Sequence, residues 1–385
     1  MASWGETGAG SEGDRPTVAT VRLGALRANF AQAQRHAPGH EVIAVVKADA
    51  YGHGAVPVAR ALLGAGCPRL AVVTVREAAE LRGASITAPL LVLGGVHGAP
   101  EAEAAVDLAV TPVLHHAGHV ALLAGAAAAR GRALGVQVEV DTGMRRMGVA
   151  PDQALALLEA VAGEPTLSLE GVYTHLARAE EPELRPSLEQ LAVFRGVLEA
   201  ARRRAIATGL VHVANSGGLL AGEALADALP EARAVRPGLL LYGVSPAAHL
   251  GAELRAAMTL RTRVAQLRRV GVGEAVGYSA LFRAPRATRV ATLPIGYADG
   301  VPVSASNRGA VLIRGRRMPI AGRVSMDFVG VDVGDEPVEI GDEAILFGEG
   351  QGTRLPVEEA AEAAGTISYE LLVRVGSRVP RIYTD

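Results

Sequence analysis

The chain has 385 residues and a mass of 39.6 kDa, which suits two domains better than one. Hydrophobic residues make up 49% of it and charged residues only 20%, so extensive disorder is excluded. The 38 basic and 40 acidic residues leave a net charge of -2, which gives no electrostatic footprint for nucleic acid or an anionic membrane. Small ligands and protein partners remain as candidates.

Residues 1–16 are rich in Gly, Ser and Glu and lack the basic and apolar regions of a signal peptide, so we predict a mobile tail there. No apolar run of the chain reaches the roughly 18 residues that span a bilayer. The single cysteine, Cys67, permits no intramolecular disulfide and favours a reducing compartment. We therefore expect a cytoplasmic protein with no membrane and no nucleic-acid partner.

Short β-branched runs alternate with Ala/Leu helical patterns between about residues 20 and 250, a rhythm typical of parallel βα units. Eight runs are found, at Val42 to Val46, Leu70 to Thr74, Leu90 to Leu93, Asp107 to Val110, Val136 to Val140, Leu169 to Thr174, Val211 to Ala214 and Ala234 to Arg236. The helical patterns are Leu23 to His36, Ala55 to Leu63, Ala117 to Arg130, Pro151 to Ala162, Pro186 to Thr208 and Gly218 to Leu229. Eight units predict an α/β fold with a closed (β/α)8 TIM-like barrel over residues 17–252.

The pattern changes after about Glu253, where alternating segments are separated by Gly, Pro and Asp and long helical patterns nearly vanish. These segments are Arg261 to Leu267, Arg289 to Leu293, Ala310 to Ile313, Phe328 to Val333 and Glu343 to Phe347. They predict a second, mainly β domain over residues 253–385.

The most informative stretch runs from Ile43 to Gly54 and reads IAVVKADAYGHG. A buried strand here delivers Lys47 at its carboxyl end, where parallel-barrel enzymes keep their active sites. Burial at that place disfavours the ammonium form and frees the amine for Schiff-base chemistry. Taken alone, Lys47 is a weak signal, because a lysine at a strand end is more often a side chain whose charged end simply reaches solvent.

The stretch around Lys47 resembles the pyridoxal-phosphate attachment site of the alanine racemases, and the resemblance continues over most of the chain. Further matching motifs occur in the family's order: Asp141-Thr142-Gly143-Met144 with Arg146, Tyr173-Thr174-His175, Asn215-Ser216, Arg236-Pro237-Gly238, Tyr278, Gly296-Tyr297-Ala298-Asp299-Gly300, Met326-Asp327 and Tyr369-Glu370. The resemblance implies a pyridoxal-phosphate barrel followed by a β domain, and a racemase that interconverts L-alanine and D-alanine, usually for cell-wall precursors.

In this family the lysine that matches Lys47 binds the cofactor and then acts as a base on one face of the substrate Cα. The tyrosine that matches Tyr278 serves the opposite face from the other subunit of a head-to-tail homodimer. Two bases agree with the stereochemistry, because racemisation removes a proton on one face and delivers one on the other. The resemblance therefore implies active sites that are shared between two copies of the chain.

A phenol, with an ordinary pKa near 10, is a poor base at neutral pH unless its neighbours favour the phenolate. The resemblance gives this role to His175 and Arg236, which lie at the carboxyl ends of predicted strands as Lys47 does. It also places Arg236 against the pyridine nitrogen of the cofactor. A permanently charged guanidinium leaves that nitrogen unprotonated and makes the ring a weaker electron sink.

The resemblance implies a phosphate site made of hydroxyl and backbone donors at helix starts, and a small pocket for the amino acid. The implied cofactor contacts are Lys47, Tyr51, Arg146, His175, Asn215, Ser216, Arg236, Gly238, Leu239 and Tyr369. The implied substrate contacts are Arg146, Tyr297, Met326 and Asp327, with the backbone amide of Met326 on the substrate carboxylate. No metal ligands are expected.

The sequence departs from the family in several places, three of which concern the predicted active site. Glu139 stands where the family often has a lysine whose carbamate orients the arginine that matches Arg146. We interpret Glu139 as a permanently charged, bicarbonate-independent substitute, and a surface glutamate is the alternative. Arg145 occupies a position that is usually glycine, and Val301-Pro302-Val303 replaces an aromatic residue and an arginine, which predicts a less charged entrance.

Two other functions stay open at this point. A racemase of broader range, acting on serine or larger amino acids, shares these motifs, and its relative activity on L-alanine and L-serine distinguishes it. A non-catalytic pyridoxal-phosphate-binding protein resembles the barrel alone, whereas this chain retains Tyr278, Met326 and Tyr369 in the β domain.

Overall fold

A computed structural model describes residues 15–350 and 352–385, so residues 1–14 of the predicted tail lie outside the described residues. The chain forms two compact units. We call them the barrel unit, Leu26–Ala50 and Gly54–Arg255, and the β unit, which contains the chain up to Ala25, Tyr51–His53 and Ala256–Asp385. In the described ranges, no helix combines the length and apolar character needed to cross a membrane.

Eight parallel strands close the barrel in chain order, which confirms the predicted α/β barrel. Strand β1 (Val18–Arg22) precedes them, and they are β2 (Glu41–Val45), β3 (Arg69–Val72), β4 (Leu90–Val92), β5 (Thr111–Leu114), β6 (Leu134–Glu139), β7 (Leu167–Tyr173), β8 (Leu210–His212) and β9 (Ala234–Val235). The first and last barrel strands pair in parallel, Val42 opposite Val235. A barrel closed in this way puts the carboxyl ends of all eight strands on one rim.

Helices alternate with the barrel strands. They are α1 (Leu23–His36), α2 (Lys47–Gly52), α3 (Ala55–Gly64), α4 (Val75–Gly83), α5 (Ala99–Asp107), α6 (Gly118–Ala129), α7 (Pro151–Ala162), α8 (Arg185–Arg203), α9 (Ser216–Leu220) and α10 (Glu223–Ala228). Alanine and leucine line their inner faces, as Ala78 and Leu81 of α4 and Leu157 and Leu158 of α7 show by their near-complete burial. Small side chains allow the helices to pack closely on the strands.

Two predicted boundaries are wrong. The fifth strand is Thr111–Leu114 and not Asp107 to Val110, which forms the end of α5 and a turn. Pro112 lies inside this strand, and a proline normally argues against a central strand. The predicted helix Gly218 to Leu229 is two helices, because Gly222 has a φ of +82° that right-handed helical backbone does not allow.

The barrel core fixes the end of β2. Val42, Ile43 and Ala44 are 2% exposed or less, so this strand is buried on both faces. Tyr242, among the largest fully buried side chains, donates a hydrogen bond of 2.8 Å from its hydroxyl to the carbonyl oxygen of Val45. The buried side chain of Tyr242 therefore fixes the backbone at Val45, two residues before Lys47.

The β unit contains two larger sheets and a hairpin. Its further strands are β10 (Met258–Arg263), β11 (Gln266–Val270), β12 (Ala275–Val276), β13 (Phe282–Arg283), β14 (Thr288–Leu293), β15 (Ala310–Ile313), β16 (Arg316–Pro319), β17 (Val329–Asp332), β18 (Glu343–Gly350), β19 (Thr353–Leu355) and β20 (Arg381–Thr384). Two short helices follow β19, α11 (Val357–Ala363) and α12 (Ser368–Arg374). One sheet has the path β16-β15-β18-β10-β1-β20 and another the order β11-β14-β17, which confirms a mainly β domain.

Strand β1 belongs to the β unit. Strand β1 pairs with β10 antiparallel and with β20 parallel, whereas the sequence prediction placed residues 17–252 together in the barrel. The alternating burial of Val18–Arg22 is that of a strand with one face on a core, and its partners lie more than 200 residues away in the sequence. The predicted run Arg261 to Leu267 likewise divides between β10 and β11.

Candidate active site

The segment after Lys47 has a left-handed backbone. The φ angles of Ala48, Asp49, Ala50 and Tyr51 lie between +52° and +53°. Such backbone costs L-residues roughly 1–2 kcal/mol each, so surrounding contacts must impose it. We call Ala48–Tyr51 the left-handed turn. Strain of this kind next to a chemically capable side chain is typical of functional sites.

Lys47 itself is half-buried at the carboxyl end of β2. Burial lowers the pKa of its ammonium group, the charge of Arg146 lowers it further, and the carboxylate of Glu77 opposes both. A lowered pKa increases the fraction of neutral amine at neutral pH, and the neutral amine is the nucleophilic form. The environment of Lys47 is thus that of a reactive amine.

Arg236 follows β9 and is only 3% exposed. Its Nη2 donates to the carbonyl oxygens of Thr174 and Val213, at 2.9 Å each, and its Nη1 donates to Nδ1 of His212. The guanidinium carbon lies 4.3 Å from the centre of the Tyr173 ring. These contacts occupy both terminal nitrogens and fix the guanidinium plane, whereas Nε–H donates to no atom in the part of the chain that the structure describes.

Two histidines beside Arg236 are held in the neutral form. Burial, followed by the neighbouring positive charges, lowers the pKa of His175 to about 3. His212 is completely buried, and its pKa lies well below the usual value for the same reasons. Because Arg236 can only donate, Nδ1 of His212 accepts, and its Nε2–H donates over 2.7 Å to Oε1 of Gln137.

Hydroxyl and amide donors converge between α9 and the turn that follows β9. Oγ of Ser216 accepts the backbone N–H of Gly238 at 3.0 Å and that of Leu240 at 3.2 Å, which leaves its own O–H available to donate. Among the described residues, the N–H groups of Gly217 and Leu239 have no acceptor. Unpaired donors at helix starts suit a phosphate dianion.

Asn215 has a structural role in the same place. It is the N-cap of α9, and its Oδ1 accepts the N–H of Gly218 at 2.9 Å while its Nδ2 donates to the carbonyl oxygen of Leu176 at 3.3 Å. Asn215 therefore positions the donors around Ser216. Direct contact of its side chain with the cofactor stays a prediction.

The loop after β6 carries Arg146 in an exposed position. Oδ1 of Asp141 accepts the N–H groups of Gly143 and Arg145, both at 3.0 Å, and this organises the loop. Arg145 has a φ of +58°, which explains the preference for glycine at this position. Arg146 acts on the pKa of both Lys47 and His175, so its charge faces the same rim of the barrel.

Glu139 is buried, 5% exposed, so the alternative of a surface glutamate is wrong. Its Oε2 accepts a hydrogen bond of 3.0 Å from the hydroxyl of Tyr173 and lies 3.3 Å from Nε2 of His115, without the geometry of a hydrogen bond to that ring. No hydrogen bond or ion pair joins Glu139 to Arg146 within residues 15–350 and 352–385. The carboxylate also counters the effect of burial on the pKa of Arg236.

Tyr51 and Tyr369, both predicted cofactor contacts, lie together in the β unit. Their ring centres are 6.1 Å apart and the ring planes are tilted by 42°. Tyr51 is 7% exposed and Tyr369 38%. Burial, with a smaller effect of Tyr369, raises the pKa of Tyr51, so its hydroxyl remains protonated and can donate.

The predicted substrate residues of the β unit are also brought together. The N–H of Tyr297 donates to the carbonyl oxygen of Ser325 at 3.0 Å, and that of Ala298 to Met326 at 3.1 Å. A Cβ atom at Gly296 would lie 2.3 Å from the Met326 oxygen, so only glycine permits this approach. The backbone N–H of Met326 is itself unpaired among the described residues and suits a carboxylate, while Asp327 accepts from Arg378 at 2.8 Å.

Tyr278 stands apart from these groups in its exposure. It begins a short 3-10 turn, Tyr278–Ala280, and 68% of its surface is accessible. Ser279 and Ala280 have φ angles of +60° and +48°, so a strained turn presents the phenol. A large aromatic side chain that is held out from the fold in this way suits a contact with another molecule.

Lys47, Arg236 and the donors around Ser216 together define a pyridoxal-phosphate-dependent barrel enzyme. The donor set fits the cofactor, because it supplies an amine for the aldehyde, hydroxyl and amide donors for the phosphate, and the unused Nε–H of Arg236 for the pyridine nitrogen. Residues 21–246 match the family model described as alanine racemase, N-terminal domain, and residues 257–383 match that of the C-terminal domain. The chain belongs to the alanine racemase family, which makes it a pyridoxal-phosphate-dependent isomerase.

Individual relatives agree with this result over nearly the whole chain. An alanine racemase of Sorangium cellulosum is 40% identical and covers 96% of this chain and 100% of its own length. The crystal structure of an alanine racemase from D-cycloserine-producing Streptomyces lavendulae has a TM-score of 0.91 at 38% identity, covering 97% of this chain and 98% of its own. That of the Bartonella henselae enzyme, with covalently bound pyridoxal phosphate, has a TM-score of 0.85 at 31% identity, with 96% and 99% covered.

The sequence interpretation missed two residues of the barrel rim. Glu77, on α4, contacts the backbone next to Lys47, and His115, at the end of β5, faces Glu139. Glu77 had a signal, because Thr74-Val75-Arg76-Glu77 is the capping-box pattern at a helix start. His115 had none, since the strand before it was placed four residues too early.

Proposed function

We propose that this chain interconverts L-alanine and D-alanine by a two-base mechanism, with Lys47 of one copy and Tyr278 of a second copy as the two bases. The observation that carries the proposal is the environment of Lys47, a half-buried amine with a lowered pKa beside Arg146. An amine of this kind can take a proton from the substrate Cα on its own face. The exposed phenol of Tyr278 serves the opposite face, and proton removal on one face with delivery on the other inverts the carbon.

The barrel residues hold the cofactor and tune it. When bound, pyridoxal phosphate withdraws electrons from the substrate Cα and so acidifies its proton. The hydroxyl of Ser216 and the amides of Gly217 and Leu239 would hold the phosphate. Nε–H of Arg236 would donate to the pyridine nitrogen, and because neutral His212 and His175 do not take up its proton readily, the arginine stays charged.

Alanine is the substrate that the pocket residues favour. The N–H of Met326, supplied by the second copy, binds the substrate carboxylate and the charge of Arg146 adds to it, while Tyr297 and Asp327 belong to the entrance. Small aromatic-lined entrances exclude long side chains. Val301-Pro302-Val303 is uncharged, however, so serine is the competing substrate against which specificity is measured.

We propose a head-to-tail homodimer in the cytoplasm as the active form. Large apolar side chains of the β unit are exposed at the segments that carry substrate residues, namely Tyr278, Leu281, Tyr297, Val303, Met326, Phe328, Ile367, Tyr369 and Val373. Exposed apolar surface of this extent in a chain with net charge -2 favours burial against a second copy. The single, buried Cys67 suits a reducing compartment.

Conversion of L-alanine to D-alanine, followed by a coupled enzyme assay, tests the proposal on wild type, Lys47→Ala and Tyr278→Phe. We expect both variants to lose at least about a hundredfold in turnover, because each lacks a proton-transfer group. Only Lys47→Ala loses covalent cofactor, as borohydride reduction and mass spectrometry of the peptide show. Full racemisation by Tyr278→Phe, or equal rates on L-serine and L-alanine, contradicts the proposal.

A further inference from the structure

A single carboxylate links three backbone amides at the rim of the barrel. Oε1 of Glu77 accepts the N–H of Ala48 at 2.7 Å, and Oε2 accepts those of Val73 at 2.7 Å and Thr74 at 3.0 Å. Val73 and Thr74 connect β3 to α4, whereas Ala48 is the residue next to Lys47. Glu77 therefore ties the end of β2 to the end of β3 through its side chain.

The left-handed turn needs such a restraint. Ala48 is its first residue, and an L-residue adopts this backbone only where the surroundings over-determine it. Asp49 supplies a second restraint further along, since its Oδ1 accepts the N–H of Ala55 at 2.6 Å. On the side of Lys47 the N–H of Ala50 donates to the carbonyl oxygen of Val46 at 3.0 Å, and Glu77 adds a restraint from a neighbouring element. The direction in which the turn leaves β2 determines where the amine points.

We propose that Glu77 is a positioning residue for Lys47, acting through the amide of Ala48. This inference rests on the proposed role of Lys47 and deepens it. Neither the capping of α4 nor the stability of the helix requires the bond to Ala48, because Thr74 and Glu77 complete the capping box between themselves. The additional hydrogen bond from the N–H of Ala48 distinguishes Glu77 from a residue that only caps its own helix.

The charged and titratable groups that act on Lys47, or respond to its charge, come from three elements. They are Glu77 on α4, Arg146 in the loop after β6, and His175 after β7, whose own pKa falls partly because of Lys47. Replacement of Glu77 by glutamine leaves Arg146 unopposed. The pKa of Lys47 must then fall further, in addition to the loss of the fixed geometry at Ala48.

Glu77→Gln and the matched control Thr74→Ala separate positioning from helix capping. Thr74→Ala removes the side-chain cap of α4 but keeps the carboxylate and all three amide bonds, whereas the amide group of glutamine cannot accept at both of its ends. Both variants lower the melting temperature. Only Glu77→Gln is expected to accelerate hydrogen exchange at the Ala48 amide, by roughly tenfold or more.

The pH dependence of cofactor attachment gives the second readout. Pyridoxal phosphate is added to the apoenzyme of each protein between pH 5 and 9, and attachment is followed by absorbance and fixed at Lys47 by borohydride. We expect the midpoint for Glu77→Gln to lie lower than that of wild type by about half a pH unit or more, and that for Thr74→Ala to be unchanged.

The outcomes distinguish this inference from the proposed function. If Glu77→Gln and Thr74→Ala behave alike in both readouts while Lys47→Ala loses attachment, Glu77 is only a helix cap and the inference is wrong. If Lys47→Ala retains covalent cofactor, the proposed function itself fails. A Glu77→Gln protein that does not fold is replaced by Glu77→Asp, whose shorter carboxylate cannot reach Ala48 and the β3 end together, and whose Ala48 amide must then exchange faster.

Discussion

The phenol of Tyr173 donates a hydrogen bond to the carboxylate of Glu139, and both side chains are buried in the barrel. The same phenol ring supports the guanidinium of Arg236, whose carbon lies 4.3 Å from the ring centre, and stacks on His212 at 4.7 Å between ring centres. The contacts of Glu139 therefore lead through Tyr173 to Arg236, and not to Arg146 as the sequence suggested. Its negative charge is built into the side chain and requires no carbon dioxide.

Glu139→Gln is expected to reduce turnover by about tenfold, because glutamine can still accept from Tyr173 but removes the buried charge that stabilises charged Arg236. Added bicarbonate leaves wild-type activity unchanged. Tyr173→Phe is the matched control, since it removes the hydrogen bond and keeps the charge. Initial rates with and without bicarbonate test this, and undiminished turnover by Glu139→Gln contradicts the role of the charge.

Arg145→Gly is expected to stabilise the protein by about 0.5–1 kcal/mol, because glycine adopts the φ of +58° without the penalty that a side chain carries there. The bond from the residue-145 amide to Asp141 is retained. Urea unfolding measures the gain. Arg145→Ala, which keeps a Cβ atom, serves as the control. If its free energy of unfolding rises as much as that of Arg145→Gly, the stabilisation comes from loss of the arginine charge and not from the backbone conformation.

Co-expression of Lys47→Ala and Tyr278→Phe tests whether active sites are shared between copies. In a mixed dimer with shared sites, one site lacks both bases and the other has both. Random pairing makes half of the dimers mixed, so the preparation recovers about a quarter of wild-type activity while each parent is inactive. Absence of recovery in purified, differently tagged heterodimers places Tyr278 in the site of its own chain.

His119 makes the stability depend on pH below neutrality. Burial, then the charges of His116, His115 and His97, lowers its pKa to about 4, against 6.5 for an ordinary histidine. The unfolded chain therefore binds the extra proton first, and stability is lost as pH falls below about 6.5. His119 alone accounts for a loss of about 2 kcal/mol between pH 8 and pH 5. Denaturant unfolding of His119→Gln at both pH values must show a correspondingly flatter dependence.

Much of the fold follows from local pattern. The β-branched runs at Val42 to Val46 and Val136 to Val140 predicted their strands to within two residues, because buried parallel strands are continuous apolar runs. The sequence did not predict β5 at its observed position, because Pro112 argues against a central strand. That Thr111–Leu114 is nevertheless a barrel strand depends on the strands beside it, which the local pattern does not contain. The membership of Val18–Arg22 in the β unit depends on pairing with β10 and β20, and no local pattern specifies a partner so distant.

The candidate site likewise contains residues that the sequence predicted and contacts that it did not. The sequence identified Lys47, His175 and Arg236 through motif resemblance and strand ends, and the structure brings His175 and Arg236 into contact. The functional role of Glu139 stays a prediction, but its contacts differ from the expected ones, because it accepts from Tyr173 and makes no bond to Arg146 among the described residues. Contacts such as Glu139 with Tyr173 arise from the register of neighbouring barrel strands, and a shift of one residue would turn either side chain outward.

The left-handed backbone of Ala48–Tyr51 fixes the number of residues between Lys47 and Gly54. A right-handed helix can accommodate an inserted residue by rotating the residues that follow it about the helix axis. This segment cannot, because Glu77 holds the N–H of Ala48 at one end and Asp49 holds the N–H of Ala55 at the other. An insertion or deletion of one residue removes one of these two hydrogen bonds, and the backbone then returns to the right-handed conformation that L-residues prefer. In any library of loop-length variants of this barrel, the interval between the lysine and the third helix should therefore be the one that tolerates no change.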